Sequence, residues 1–107
     1  MSYAAITPAP TTPKRGPAEQ FTGVAWVTFL LMPGTPTDVV MGSVTFESGC
    51  RNRWHSHPAG QVLVVTAGQG YYQEKGQPAQ LIQPGDVVNI APGVAHWHGA
   101  TATNFLT

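Results

Sequence analysis

The amino-acid sequence predicts one all-β domain, built as an antiparallel sandwich or barrel. Its 107 residues fit a single domain, because independent domains usually contain about 100–150 residues. Short apolar runs recur from Phe21 onward, and no segment keeps a helical period over three turns. The 12 glycines and 10 prolines are spread along the chain, which suits a β protein with many turns.

Residues 1–20 differ in composition from residues 21–107, and we interpret them as an arm that precedes the single domain. Pro8, Pro10, Pro13 and Pro17 lie there among alanines and threonines. Because proline fixes φ and removes an amide donor, this arm cannot form a central strand or a helix interior. We expect it to be loose or to lie extended against another surface, such as a partner subunit.

Turn residues divide the domain into seven to nine predicted strands. In chain order, the apolar or alternating runs are 23–32, 39–47, 51–57, 61–67, 70–74, 79–82, 87–90, 95–100 and 104–106. The turns between them are rich in glycine and proline, and Lys75-Gly76 is typical of a hairpin.

The charge balance and the cysteine content exclude several classes of protein. Five basic side chains offset five acidic ones, so there is no basic cluster to bind nucleic acid or an anionic membrane. Cys50 is the one cysteine, which excludes a disulfide-stapled secreted scaffold. Residues 1–12 do not resemble a signal peptide, and no apolar run approaches the roughly 20 residues that span a bilayer. We therefore expect a cytoplasmic protein.

All four histidines fall into two His-x-His pairs, His55 with His57 and His96 with His98. Side chains two apart on a strand point the same way, so each pair should present two imidazoles to one face. Such a pair could form a hydrogen-bonded patch on a strand edge. Two imidazoles from one rigid strand also provide the chelate geometry that first-row metals need, and the pairing favours metal binding.

The residues around these pairs resemble the two sequence motifs of the cupin superfamily. Its first motif is a glycine, His-x-His, an acidic residue three or four positions on and a second glycine, and its second motif has Pro and Gly shortly before a third histidine. The matching positions are Gly49, His55, His57, Gln61 and Gly68 in the first motif and Pro92, Gly93 and His96 in the second. The resemblance covers about residues 39–98. It implies a double-stranded β-helix, a small jelly-roll barrel with a metal inside.

The same resemblance implies that one divalent transition metal is held by His55, His57, His96 and Gln61. Position 61 is usually glutamate in the family. Three imidazoles and one carboxamide leave the charge of a divalent ion uncompensated, so we expect the site to hold anions and to favour Lewis-acid chemistry over oxygen activation. Nitrogen and carbonyl oxygen ligands together suit Mn, Fe or Ni, with Zn and Cu possible.

Residues 16–23, 43–46, 54–61 and 96–100 resemble a narrower subgroup, the small bacterial cupins that include manganese-dependent hydroxynitrile lyases. This resemblance implies Mn(II) as the metal and a lyase that cleaves or forms cyanohydrins. The subgroup carries a further active-site histidine shortly beyond the position of Thr107, so in this chain the general base would be His98.

His98 shares a strand face with His96 and should point into the barrel near the metal. Its role is either to orient a ligand or water by a hydrogen bond or to act as general acid and base. Asn52, on the strand that leads to the ligands, is its candidate polar partner. Gly42, Val44 and Phe46 alternate along one strand, and we interpret them as the lining of an apolar pocket for a small-molecule substrate.

Trp54 and Trp97 have the opposite strand parity to the neighbouring histidines, so both should face away from the metal. An aromatic pair on the outside of a barrel is typical of a subunit interface, and we expect a homodimer or a higher homo-oligomer. Three functions stay open on the sequence: a metal-dependent lyase, a non-haem metal oxygenase on the same scaffold, and a non-catalytic metal-dependent binding protein.

Overall fold

The computed structural model describes residues 5–8 and 12–107, which form β-strands and no helix. The strands are β1 (Lys14–Arg15), β2 (Phe21–Thr22), β3 (Ala25–Leu31), β4 (Met41–Phe46), β5 (Arg51–Asn52), β6 (Gln61–Val64), β7 (Gly70–Glu74), β8 (Gln80–Ile82), β9 (Val87–Ile90) and β10 (His96–Ala100). Over these residues there is no helix long and apolar enough to cross a membrane. The prediction of an all-β chain is confirmed.

The strands pair in three sheets, and every pairing is antiparallel. The first sheet has the order β1-β3-β4, the second β2-β5-β10-β7-β8, and the third joins β6 to β9. Strands of all three sheets contribute to one buried cluster, which includes Ala25, Phe46, Tyr72 and Ile90. The sheets therefore enclose a common core, and the side chains of β10 lie at the centre of the largest sheet.

Eight of the predicted runs contain an observed strand, namely β3, β4, β5, β6, β7, β8, β9 and β10. The run 104–106 contributes only Leu106, which forms single bridges with Phe46 and Gly68. The run 51–57 is a strand only at Arg51–Asn52, so the prediction of a strand through His57 is wrong.

The predicted arm is partly paired with the domain. Lys14 and Arg15 form β1 at the edge of the first sheet, opposite Val27 and Trp26. This placement agrees with the expectation that the proline-rich segment cannot be a central strand. The predicted boundary at residue 20 stays a prediction, and residues 1–4 and 9–11 of the arm lie outside the described residues.

Gly68 allows the chain near Leu106 to approach closely, and this contact generates a test. A Cβ atom built at Gly68 would lie 1.9 Å from the Phe105 carbonyl oxygen, and the residue has a φ of +82°. Gly76 has nearly the same φ, +84°, but a Cβ atom there would meet nothing within 4 Å. Only the steric contact distinguishes the two positions.

We predict that Gly68→Ala destabilises the protein more than Gly76→Ala. The Gly76 variant should lose about 1–2 kcal/mol of unfolding free energy, the usual cost of a left-handed conformation. The Gly68 variant should lose about 1–3 kcal/mol more, because an atom must be forced into packed backbone. Urea unfolding monitored by circular dichroism measures both, and equal losses would contradict the close approach.

Candidate metal centre

Three histidines converge at one point of the structure. Each of His55, His57 and His96 offers a ring nitrogen, and these nitrogens all lie within 4.8 Å of one another. The ring centroids are 4.3 Å apart for His55 and His96 and 4.9 Å apart for His55 and His57. His96 is fully buried, with 0% exposure, whereas the other two are partly exposed. One divalent ion could be bound by all three.

The two histidines of the first pair reach this point from a loop. His55 pairs with His96 through two backbone hydrogen bonds of 3.0 and 2.9 Å. The carbonyl oxygen of His57 accepts hydrogen bonds from the amides of Gly60, at 3.1 Å, and Gly93, at 3.0 Å. Pro58 follows His57 and has no amide with which to extend a ladder. A single β-bridge at His55 and turn contacts at His57, and not a continuous strand, therefore bring the first pair of imidazoles to His96.

Backbone carbonyls select the tautomer of two of the rings. Nδ1 of His55 lies 2.6 Å from the Arg53 carbonyl oxygen, and Nδ1 of His96 lies 2.9 Å from that of Val94. Because a carbonyl oxygen can only accept, both Nδ1 atoms carry the hydrogen, and Nε2 of each neutral ring keeps its lone pair. Metal-binding histidines in proteins are commonly oriented by such a bond on the other nitrogen.

Two further polar atoms lack a suitable partner. Nε2 of His57 is buried and has no hydrogen-bond partner in the described part of the chain. Oε1 of Gln61 lies 3.2 Å from Nε2 of His96, where both atoms are acceptors in the tautomer that Val94 selects. Unpaired buried acceptors are costly, and a cation would satisfy both. The residues present therefore fit a divalent metal with three nitrogen ligands and one carbonyl oxygen ligand.

Burial favours the neutral form of His57, His96 and His98. Burial lowers the pKa of His57 and of His96, and the neighbouring His55 ring adds to both shifts. Burial, followed by the charges of His96, His55 and His57, lowers the pKa of His98 to about 3. A neutral imidazole is the form that can donate a lone pair to a metal.

His98 and Asn52 lie in contact beside the cluster. The amide of His98 donates to Oδ1 of Asn52 at 2.9 Å, and Nδ2 of Asn52 lies 3.3 Å from the ring nitrogens of His98. The His98 ring stacks on His96 at a centroid distance of 6.0 Å and meets the edge of Phe46 at 5.4 Å. The structure thus brings together the two residues to which we assigned catalytic roles. Their roles stay a prediction.

A cavity of about 380 Å³ is lined in part by His98 and by Gln61, and Gln61 contacts His96. Gly42, Val44 and Phe46, the residues interpreted as pocket lining, form part of its wall together with Gln61 and His98. Ligand sites of this kind combine a mainly apolar lining with a few convergent polar groups. The cavity can therefore hold the apolar part of a small molecule while Gln61 and His98 contact its polar part.

Two residues that no sequence pattern singled out, Tyr72 and Glu74, face the same way as the histidines. Tyr72 lies opposite His98 and Glu74 opposite His96 in the pairing of β7 with β10, and directly opposed side chains share one face of a sheet. The Tyr72 hydroxyl donates to Oε1 of Glu74 at 3.0 Å. Burial and this carboxylate raise the pKa of Tyr72 to about 12. Strand alternation shows that the two share a face, but the pairing with β10 is not visible in the sequence.

Trp97 lies on the face of β10 away from His96 and His98, as strand parity predicts, but it is covered and does not form an exposed pair with Trp54. Trp54 is 52% exposed, but Trp97 is 8% exposed. The guanidinium of Arg51 lies 4.8 Å from the Trp97 ring centroid. Nε1 of Trp97 donates a hydrogen bond to Oε1 of Gln73 at 2.8 Å. Side chains from the two neighbouring strands therefore cover this ring. The homo-oligomer stays a prediction without that support.

The depressed histidine pKa values predict a loss of stability in mild acid. The unfolded state protonates these rings near pH 6.5, whereas the folded state resists protonation, to about pH 3 for His98. The stability of the metal-free protein should therefore be complete above pH 6.5 and should fall below it. His98 should contribute a slope of up to about 1.4 kcal/mol per pH unit.

Urea unfolding with a chelator present, between about pH 7 and pH 5, measures this slope before most carboxylates titrate. His98→Gln removes one titrating ring, so its slope should be shallower than that of the wild type. Stability that rises as the pH falls through this range would contradict the neutral, buried state of His98.

Comparisons with known proteins agree with this geometry. A family model described as a cupin domain matches residues 42–105. The chain is 48% identical over 93 residues to an (R)-mandelonitrile lyase of Granulicella tundricola, and the matched region covers 87% of this chain and 71% of that protein. The structure of a cupin-like protein from Thermotoga maritima is similar, with a TM-score of 0.81 and 44% identity over 90% of this chain and 73% of that one.

A predicted oxalate decarboxylase from Thermotoga maritima has a TM-score of 0.70 at 19% identity, over 89% of this chain and 88% of that one. Identity at this level supports the fold alone. The predicted double-stranded β-helix, the cupin jelly roll, is confirmed by these likenesses. The chain belongs to the cupin family.

Proposed function

We propose that this protein is a metal-dependent lyase of the hydroxynitrile lyase type, which cleaves or forms a small cyanohydrin. The observation that carries the proposal is the convergence of three histidines beside a cavity that Gln61 and His98 also line. The 48% identity to an (R)-mandelonitrile lyase supports the choice of reaction among those that such a centre could perform.

In this proposal His55, His57, His96 and Gln61 hold one divalent ion, and Mn(II) is the ion we propose. Two observations support this ligand set. Nε2 of His57 is buried and has no hydrogen-bond partner among the described residues, and Oε1 of Gln61 lies 3.2 Å from Nε2 of His96. When bound, such an ion supplies Lewis-acid polarisation of a substrate oxygen.

The cavity would bind and orient the substrate. Val44 and Phe46 would contact its apolar group, and Gln61 and His98, which line the same cavity, would contact its hydroxyl and nitrile. An apolar wall also excludes water, which strengthens the electrostatic interactions within the site.

His98 would accept the proton of the cyanohydrin hydroxyl, with Asn52 holding the ring. As the proton moves to a ring nitrogen, the bond between the carbinol carbon and the nitrile carbon breaks, and its electron pair leaves with cyanide. The O–H electron pair becomes the second bond of the carbonyl group. Because burial disfavours a charged His98 ring, cyanide should take that proton within the site and leave as HCN.

The metal requirement generates the first test of this proposal. The protein loaded with Mn²⁺ should release cyanide from (R)-mandelonitrile, and a chelator should abolish the release. His96→Ala should bind Mn²⁺ more weakly by over about 100-fold, beyond the effect of losing an outer contact. Ser56→Ala, an exposed neighbour of two of the proposed ligands, is the matched control and should retain binding and activity.

Other outcomes of that assay would overturn the proposal. Oxygen uptake with an iron-loaded protein, and no cyanide release with manganese, would support the oxygenase instead. A protein that binds metal but turns over no cyanohydrin with any ion would support a binding function.

The proposed proton acceptor gives a second test. His98→Gln should lower kcat by about 100-fold to 10,000-fold, the usual range for general acid–base catalysis, while the Mn²⁺ content stays at the wild-type level. Asn52→Ala should lower kcat less than His98→Gln does, since it removes a hydrogen-bond partner of His98 and leaves the imidazole in place. Steady-state cyanide release and metal analysis on the same samples measure both quantities, and an unchanged kcat in fully loaded His98→Gln would exclude this role.

A further inference from the structure

Glu74 lies on the face of the second sheet that also carries His96 and His98. It stands directly opposite His96 in the pairing of β7 with β10, so its side chain shares a face with that imidazole. Two residues earlier, Tyr72 shares the same face, and its ring centroid lies 5.8 Å from that of His96. The Glu74 side chain therefore lies on the same face of the sheet as the proposed ligand His96.

Glu74 also differs from the other carboxylates in its surroundings. The side chains of Glu19, Asp38, Glu47 and Asp86 are exposed, whereas Glu74 is partly buried. The Tyr72 hydroxyl, on a ring that is itself buried, donates to Oε1 of Glu74 at 3.0 Å. A carboxylate held by a buried phenol in this way has a fixed position, and burial reduces the screening of its charge by water.

The proposed ligands carry no charge that would offset a divalent ion. Three neutral imidazoles and the carboxamide of Gln61 leave both positive charges in place, in a site where His96 is fully buried. Glu74 stands directly opposite His96 in the pairing of β7 with β10, so its charge lies on the face of the sheet that carries this site. A charge that compensates the ion would therefore have to come from outside the ligand set.

We propose that Glu74, oriented by Tyr72, is the counter-charge of the metal centre and a positioning residue for the bound ion. This inference rests on the metal site of the proposed function, but not on its reaction. Glu74 would act through the field it produces at the ion and not as a ligand. It would partly restore the negative charge that a glutamate at position 61 would otherwise provide, while leaving the ligands themselves neutral.

The first measurement is the affinity for Mn²⁺ alone, by competition with a chelator. Glu74→Gln keeps the shape and can still accept from Tyr72, but it removes the charge, so Mn²⁺ should bind about tenfold more weakly. Glu47→Gln is the matched control, because Glu47 is an exposed carboxylate that accepts a hydrogen bond from Trp26 at 2.8 Å. Its affinity should stay within about twofold of the wild type.

A second measurement separates charge from a loosened structure. Azide, a small anion, should bind to the Mn²⁺-loaded Glu74→Gln protein several times more tightly than to the loaded wild type, because the net positive charge of the site increases. A merely loosened site would weaken the binding of both the cation and the anion. Opposite changes in the two affinities are therefore specific to a counter-charge.

Tyr72→Phe keeps the charge and frees the carboxylate, so its Mn²⁺ affinity should lie between those of the wild type and Glu74→Gln. If Glu74→Gln does not fold, as thermal unfolding would reveal, Glu74→Ala provides the neutral variant. Equal Mn²⁺ and azide affinities in the wild type and the neutral variant would overturn this inference and leave the proposed function intact. A wild-type protein that binds no Mn²⁺ would overturn both.

Discussion

The pairing of β10 with its two neighbours is the constraint on which the rest of the site depends. β10 lies between β5 and β7, and it carries both His96 and His98 into the interior. Its pairing with β5 brings Asn52 to His98, and its pairing with β7 brings Tyr72 and Glu74 to the histidine face. The backbone bridge between His96 and His55 then joins the first histidine pair to the second. A shift of β10 by one residue would turn His96 and His98 to the other face, away from these partners.

The electrostatic character of the site follows from side chains that are kept neutral. Burial lowers the pKa of His57, His96 and His98, and carbonyl oxygens hold the hydrogens of His55 and His96 on Nδ1. Lone pairs therefore face the space where a cation would bind, before any ion enters. Such an arrangement needs little reorganisation on binding, which is a general source of affinity.

The sequence was sufficient for the parts of the structure that depend on local patterns. The short apolar runs predicted the main strands, and the position of Asn52 before the ligands predicted its contact with His98. The two His-x-His pairs favoured metal binding, and the resemblance to the cupin motifs implied that Gln61 joins them in one cluster. The failures came from contacts between residues distant in the chain. Alternation did not apply to His55 and His57, because their segment is shaped by turn hydrogen bonds from Gly60 and Gly93.

Two other failures have the same origin. The burial of Trp97 depends on Arg51 and Gln73, which no local pattern around Trp97 contains. Glu74 reaches the site only through the register of β7 against β10. Parity along a strand predicts which residues share a face, but the partner strand decides what that face contacts.

The carbonyl oxygen of His57, which accepts from both Gly60 and Gly93, links two turns that are far apart in sequence. One turn follows the first histidine pair, and the other immediately precedes the second. Because both turns donate to the same carbonyl oxygen, a substitution that displaces the later turn would also displace the imidazole of His57. A homologue could retain every proposed ligand and yet lose the geometry of the centre through changes confined to these connecting loops.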